Sequence, residues 1–308
     1  MVRGKFPGMP RKGGLASLGL LVFVVLGVCL PPAARAGEGG AGPARRIVSL
    51  GPNITESVFA LGLGDRLVGV SSFSTYPLQA RSLPQLGGYL NPNLERLRVL
   101  RPDLVLVQYE PEKVARFCQK QGIRLVRVRM DSLSTIYEGL TVLGRALGVP
   151  ERAGRLCATI QEELTGVAAS VSAYPRQRVF VCLGRAPDTL SGLFTAGGSS
   201  FLTEVMKIAG GDNIFADVNQ PYPEVSKESL VKRAPEVILE LRPGEQIDAD
   251  RARRIKADWQ ALRGLPAVDT GRVHLLTQDY LLIPGPRVGA VARLLAQTLH
   301  PELSPHDR

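Results

Sequence analysis

The sequence predicts an α/β protein of two Rossmann-like lobes with mostly parallel sheets, joined by a single long α-helix. Three observations predict it. First, the chain resembles itself: Glu95-Arg-Leu97 through Pro102-Asp103-Leu-Val-Leu106 matches Glu228-Ser-Leu230 through Pro235-Glu236-Val-Ile-Leu239 without a gap. Second, the order of elements recurs: apolar strand, helix, glycine turn, helix, proline, strand. Thr55-Glu56 precedes Leu61-Gly62-Leu63-Gly64-Asp65, and Thr203-Glu204 precedes Ala209-Gly210-Gly211-Asp212. Alternating strands and helices imply a parallel sheet covered by helices. Third, the stretch between the halves has one apolar face: Leu156, Ile160, Leu164, Val167 and Val171 recur at helical steps. Pro150 opens that stretch and Tyr174-Pro175 closes it, so a helix of about 22 residues would run roughly 33 Å. The alternative is one large α/β domain whose helix starts look alike by chance; the ungapped match favours two lobes.

Taken in order, the chain starts with a targeting segment. Arg3, Lys5, Arg11 and Lys12 form a positive region, Leu15 to Leu30 is apolar, and Ala34-Arg-Ala36 is a cleavage site. Residues 1–36 are read as a signal peptide cleaved after Ala36, which predicts export to the periplasm. A lipoprotein attached through Cys29 ranks below this, because the preceding Val28 is bulkier than a lipobox residue. Residues 37–44 form a flexible leader, 45–149 the first lobe, 150–174 the connecting helix and 175–308 the second lobe.

Ile47–Leu50 and Leu67–Val70 read as buried strands, with a helix from Thr55 to the glycines at Gly62 and Gly64 between them. Val179–Leu183, Val237–Leu241 and Val273–Leu276 read as strands of the second half. Ala249–Leu262 reads as a helix carrying the only tryptophan, Trp259, and Val288 to Leu299 as the closing helix. Gly192–Ser200 is rich in glycine but lacks the lysine and spacing of a phosphate loop, and reads as a turn into a helix at Phe201.

Composition excludes several functions. The formal net charge of +10 falls to +5 once the five basic residues of 1–36 are removed, and no basic patch interleaves with aromatics, so nucleic acid is not an expected partner. Cys118, Cys157 and Cys182 allow one disulfide or none, and their spacing fits no zinc pattern. His274, His300 and His306 are far apart in sequence, which argues against a metal centre or a histidine triad.

Ligands of open parallel sheets bind beyond the carboxyl ends of strands. There the sequence offers Ser71 to Pro77, with Phe73 and Tyr76, then Gly87 to Pro92 with Tyr89. In the second half it offers Gln220 to Ser226 and Asp279-Tyr280. Pro221 and Pro223 hold Tyr222, which suits a contact residue that loses little entropy on binding. Aromatic walls with few charges suit a large, flat, partly apolar ligand. Glu95 and Glu228 fall at the second position of helices capped by Asn93 and Ser226. Carboxylates there complement the helix dipole by about 0.3–1 kcal/mol, which accounts for them structurally. They would also give each lobe one exposed handle for a basic partner.

The segments Gly69-Val-Ser-Ser-Phe-Ser-Thr-Tyr-Pro77, Asn93-Leu-Glu-Arg96, Gly210-Gly-Asp-Asn-Ile-Phe215 and Pro221-Tyr-Pro-Glu-Val-Ser226 resemble a known family. It comprises the substrate-binding proteins of ABC importers that carry cobalamin, iron-siderophores or haem, and the four segments are similar to those of its cobalamin-binding members. The resemblance covers residues 45 to about 300. It implies the class III periplasmic binding protein fold and a non-enzymatic receptor, expected to be a monomer with no cofactor of its own. It further implies a corrinoid captured between the lobes and delivered to an inner-membrane permease with its ATPase. Tyr76, Tyr89, Tyr222, Asp279 and Tyr280 fall at ligand-facing positions, and Glu95 and Glu228 where the lobes dock on the permease. Two departures stand out. Tyrosine occupies positions 89, 222 and 280 where the cobalamin-binding pattern has tryptophan, and Ala209 stands where it has cysteine. A ferric siderophore or haem is the alternative ligand, with Arg185 or Arg287 available to an anionic chelate. An exported α/β enzyme is the remaining class, but no nucleophile elbow, catalytic carboxylate pair or metal cluster is found.

Overall fold

Each half of the protein is built outward from one apolar strand. The computed structural model describes residues 43–303. The signal peptide with its cleavage site after Ala36, Cys29 and most of the flexible leader lie outside the described residues. In the first half β1 (Ile47–Ser49), α1 (Pro52–Ala60) and β2 (Leu67–Val70) are followed by α2 (Leu94–Leu100) and β3 (Leu104–Val107). Then come α3 (Glu112–Gln121), β4 (Arg124–Arg127) and α4 (Leu133–Leu147). The four strands pair in parallel in the order β2-β1-β3-β4. The connecting helix α5 spans Pro150–Val171. The second half contains β5 (Gln177–Gly184), β6 (Leu193–Thr195), α6 (Phe201–Ile208), β7 (Gly211–Asn213), β8 (Glu224–Val225) and α7 (Lys227–Arg233). It ends with β9 (Val237–Leu241), α8 (Ala249–Asp258), α9 (Pro266–Asp269), β10 (Val273–Leu276) and α10 (Val288–Leu299).

The internal resemblance is structural. In the second sheet β7, β5, β9 and β10 pair in parallel in the same sequence of neighbours as β2, β1, β3 and β4. The antiparallel strands β6 and β8 are the addition that makes this sheet six-stranded. The repeated proline–acid pair has a physical reason. The Asp103 carboxylate accepts the Arg45 amide at 2.8 Å, just before β1, and the Glu236 carboxylate accepts the Arg178 amide at 2.8 Å, in β5. Each acid thus ties an arriving strand to the central one. The helix before each proline closes with a left-handed residue, Arg101 at φ 45° and Ala234 at φ 41°.

Some elements differ from the sequence expectation. Helix α1 starts at Pro52 rather than Thr55, because proline fits the first helical position, where no amide hydrogen is needed. The helix from Ala249 ends at Asp258 and tightens into a 3-10 turn over Trp259–Leu262. The glycine-rich stretch after Gly192 contains β6 as well as a turn. Its glycines have a packing role: the Gly197 amide donates to Pro221 at 3.0 Å and the Gly198 amide to Val218 at 2.8 Å. A side chain at Gly197 would collide with the Gln220 carbonyl. The two glycines therefore seat the loop that carries Tyr222.

One apolar core runs through both halves. It joins Ile136, Leu140 and Leu143 of α4, Ile160, Leu164 and Val167 of α5, and Val291 and Leu295 of α10. Helix α5 packs on α4 in the first lobe and on α10 and α6 in the second. A shared core resists lobe movement, because opening would expose close-packed apolar surface. Each sheet also has a core on its far face, around Leu97, Val105 and Val114 in the first lobe and around Phe180, Phe215 and Trp259 in the second.

The second core holds a buried charge network. Glu240 accepts Arg185 Nε at 3.1 Å, Arg242 Nη2 at 2.8 Å and Trp259 Nε1 at 2.7 Å. Arg185 also pairs with Asp258 at 2.8 Å. Arg185, offered above as a partner for an anionic chelate, is committed to the interior, with a side chain 1% exposed.

Cys118, Cys157 and Cys182 are free thiols. Burial pushes the Cys118 thiol up to about 11 and the Cys182 thiol up to about 12. Thiol reactivity follows the thiolate, so Ellman's reagent applied to residues 37–308 should reach only the half-buried Cys157 in the native state, and slowly. Three thiols should titrate in denaturant without reductant; two fewer would reveal a disulfide.

Among the described residues, no helix is long and apolar enough to cross a membrane.

Candidate functional site

The carboxyl ends of both sheets border a cleft of about 550 Å³ between the lobes. Each wall follows from where strands end. The first lobe contributes Leu50 to Asn53 after β1, Gln108 and Tyr109 after β3, Arg129, Asp131 and Ser132 after β4, and Tyr89 from the loop before α2. The second contributes Ser199 before α6, Pro221 and Tyr222 before β8, and Leu282 to Pro284 after β10.

Tyr89 and Tyr109 are the aromatic side chains of the first wall. Phe73 meets Tyr89 edge-on with ring centres 6.0 Å apart, and Tyr89 meets Tyr109 at 6.2 Å. Tyr222, 48% exposed, stands on the other wall. Burial pushes its phenol above the ordinary tyrosine range, the Ser200 hydroxyl opposes this, and Tyr109 and Asp131 of the opposite lobe add to it. Tyr222 is therefore a neutral phenol at physiological pH, able to donate or accept. The charged residues of the lining, Arg129 and Asp131, pair with each other at 3.3 Å, so the cleft presents little net charge. Its polar groups are mostly neutral. Asn53 donates to Gln108 at 2.9 Å, and the buried Oδ1 of Asn53 has no protein partner.

The expected residues separate into three sets. Tyr89 and Tyr222 line the cleft from different lobes. Tyr76, Asp279 and Tyr280 are not in its lining; they gather around Arg287 at the lobe junction. The Arg287 guanidinium lies 3.9 Å from the Tyr76 ring centre and 5.1 Å from that of Tyr280, and bonds Asp279 at 2.8 Å. It also forks onto Glu56 of α1, at 2.6 and 2.8 Å. Burial pushes the Glu56 carboxyl up against the pull of Arg287. Arg287, the other arginine offered for a chelate, is thus occupied.

Glu95 and Glu228 form the third set. Both are exposed at the second position of their helices. Asn93 accepts the Arg96 amide at 2.9 Å and Ser226 the Ser229 amide at 3.1 Å. Its own backbone amide, then the Ser226 hydroxyl, hold the Glu228 carboxyl below the usual range.

Asn53, Gln108, Tyr109, Arg129, Asp131 and Ser132 were not singled out from the sequence. All but Asn53 lie in the stretch from 107 to 149 that the patterns left unassigned, yet the rule that ligands bind past strand carboxyl ends applies to each.

Two α/β lobes on one long helix, with a cleft at the carboxyl ends of both sheets, define a class III binding protein. The family model described as "Periplasmic binding protein" matches residues 47–280, and the chain belongs to that family. It is 31% identical over 247 residues to the vitamin B12-binding protein of Vibrio parahaemolyticus, covering 80% of this chain and 86% of that one. The crystal structure of the periplasmic vitamin B12 binding protein BtuF of Vibrio cholerae superposes with a TM-score of 0.70 at 28% identity, over 85% of this chain and 99% of that one. The periplasmic heme-binding protein RhuT from Roseiflexus gives a TM-score of 0.70 at 27% identity, over 85% of this chain and 100% of that one.

Proposed function

We propose that this protein captures a corrinoid in the interlobe cleft and delivers it to an ABC permease of the inner membrane, powered by the permease's ATPase. The observation that carries this reading is a nearly neutral cleft with Tyr89 on one wall and Tyr222 on the other. A corrinoid offers a broad ring plane and a rim of neutral amides, which aromatic faces and uncharged groups such as Asn53 and Gln108 can meet. Relatives named for vitamin B12 binding support the same ligand.

In this reading residues 1–36 are removed after Ala36 on export to the periplasm. Residues 45–149 and 175–308 act as the lobes, with 150–174 as a stiff connector. The protein works as a monomer, performs no chemistry and needs no cofactor. Tyr89 and Tyr222 contact the ligand, while Tyr76, Asp279 and Tyr280 support the junction through Arg287. Glu95 and Glu228 dock one lobe each on permease arginines. The double variant Glu95→Ala, Glu228→Ala should then bind ligand like the wild type yet lose most complex formation and transport. Unchanged transport would sink the docking assignment.

Haem is the second reading. Three phenols, Tyr89, Tyr109 and Tyr222, line the cleft, and a tyrosinate can ligate ferric haem. Purified residues 37–308 offered cyanocobalamin or haemin and run on a sizing column distinguish the two by the colour of the protein peak. Corrinoid absorbance at one per chain is expected; a haem band with no corrinoid would replace the first reading with the second.

A further inference from the structure

Among the described residues, two residue pairs are hydrogen-bonded through side chains from one lobe to the other, and both start at the same place in the internal repeat. Thr55-Glu56 on α1 and Thr203-Glu204 on α6 are equivalent pairs. In each, the threonine turns back on its own lobe. Thr55 Oγ1 donates to the Gly51 carbonyl at 3.0 Å and Thr203 Oγ1 to the Gly197 carbonyl at 2.7 Å. The glutamate, about 100° further round the helix, reaches into the other lobe. Glu56 takes the Arg287 fork of the second lobe at 2.6 and 2.8 Å. Glu204 Oε2 accepts the Leu133 amide of the first lobe at 2.7 Å.

Both contacts adjoin the cleft wall. Glu56 lies one turn beyond Asn53, and Arg287 three residues past Pro284. Glu204 lies one turn beyond the Ser199-Ser200 corner, and Leu133 follows Ser132. The apolar core that joins the lobes is non-directional. Charge-assisted hydrogen bonds are directional and short, so they are the contacts able to fix how far apart the walls stand.

We propose that Glu56 and Glu204 are positioning residues: a pair of latches, one from each repeat, that set the width of the cleft and must part for it to open. Only the consequence for the ligand rests on the function proposed above, since the latches can be tested in the empty protein.

The test is amide hydrogen exchange on ligand-free residues 37–308, wild type against Glu204→Ala and Glu56→Gln. Loss of one charged hydrogen bond should shift the opening equilibrium about tenfold. Glu204→Ala should speed exchange at Leu133. It should also speed it about tenfold at the far latch, at the amides of α1 and at Val288, which donates to Gly285 at 3.1 Å. Glu56→Gln should speed exchange at Leu133, whose own bond is unaltered. Faster exchange confined to the substituted side would make each glutamate a local contact and overturn the proposal. Circular dichroism establishes that each variant is folded; if Glu204→Ala is not, the effect of Glu56→Gln on Leu133 decides the matter alone. Where cyanocobalamin binds, its dissociation from either variant should quicken by a similar factor. Where it does not, the proposed ligand fails while the exchange result still judges the latches.

Discussion

Replacing Glu240 with alanine is expected to destabilise the protein by about 3–5 kcal/mol. The carboxylate is 2% exposed and accepts bonds from Arg185, Arg242 and Trp259. Removing it leaves the Arg185 guanidinium, equally buried, with Asp258 as its remaining carboxylate. A buried charge deprived of a partner is far more costly than the intact network is stabilising. For a chain of this size the melting temperature should fall by on the order of 10 °C. Denaturant unfolding of wild type and variant checks this, and a difference under about 1 kcal/mol would mean that water reaches the network. No effect on docking is expected, because the network lies inside the second lobe.

Ligand affinity should depend most on Tyr89 and Tyr222. Truncating a central aromatic anchor of a binding site typically costs at least about 2 kcal/mol, or roughly 30-fold in affinity. Tyr89→Ala and Tyr222→Ala are each expected to weaken corrinoid binding by about that factor. The two residues are 38% and 48% exposed, so truncation should cost less in stability than in affinity. Phenylalanine at either position should retain most of the affinity if the ring face is what matters. A large loss with Tyr222→Phe would point instead to the phenol, as donor or as iron ligand, and would favour haem. Titration calorimetry of the four variants measures all of this.

The fold was legible because its cues are local. The repeated E-x-L and P-[DE] segments mark equivalent helix starts and strand anchors, and the apolar face of α5 marks the connector. Tyr222 stood out because two prolines flank it, and Tyr89 because a glycine-rich loop carries it. The wall formed after β4 stayed hidden for a physical reason. Arg124–Arg127 is a half-exposed edge strand with arginine at both ends, so it has no apolar run to announce it, and Arg129, Asp131 and Ser132 were missed with it. The cluster around Arg287 was hidden differently. Its bonds to Glu56 join residues 231 positions apart, and no local pattern carries such a pairing. The sequence put Tyr76, Asp279 and Tyr280 near the cleft without revealing that an arginine gathers them.

The central claim is that one ligand is held by both lobes at once. Amide exchange with and without saturating cyanocobalamin tests it most directly. Simultaneous protection of the Tyr89 loop, the Gln108-Tyr109 turn and the Pro221-Tyr222 loop is the predicted footprint. Protection on one lobe alone, or none at any of these loops, would contradict capture between Tyr89 and Tyr222.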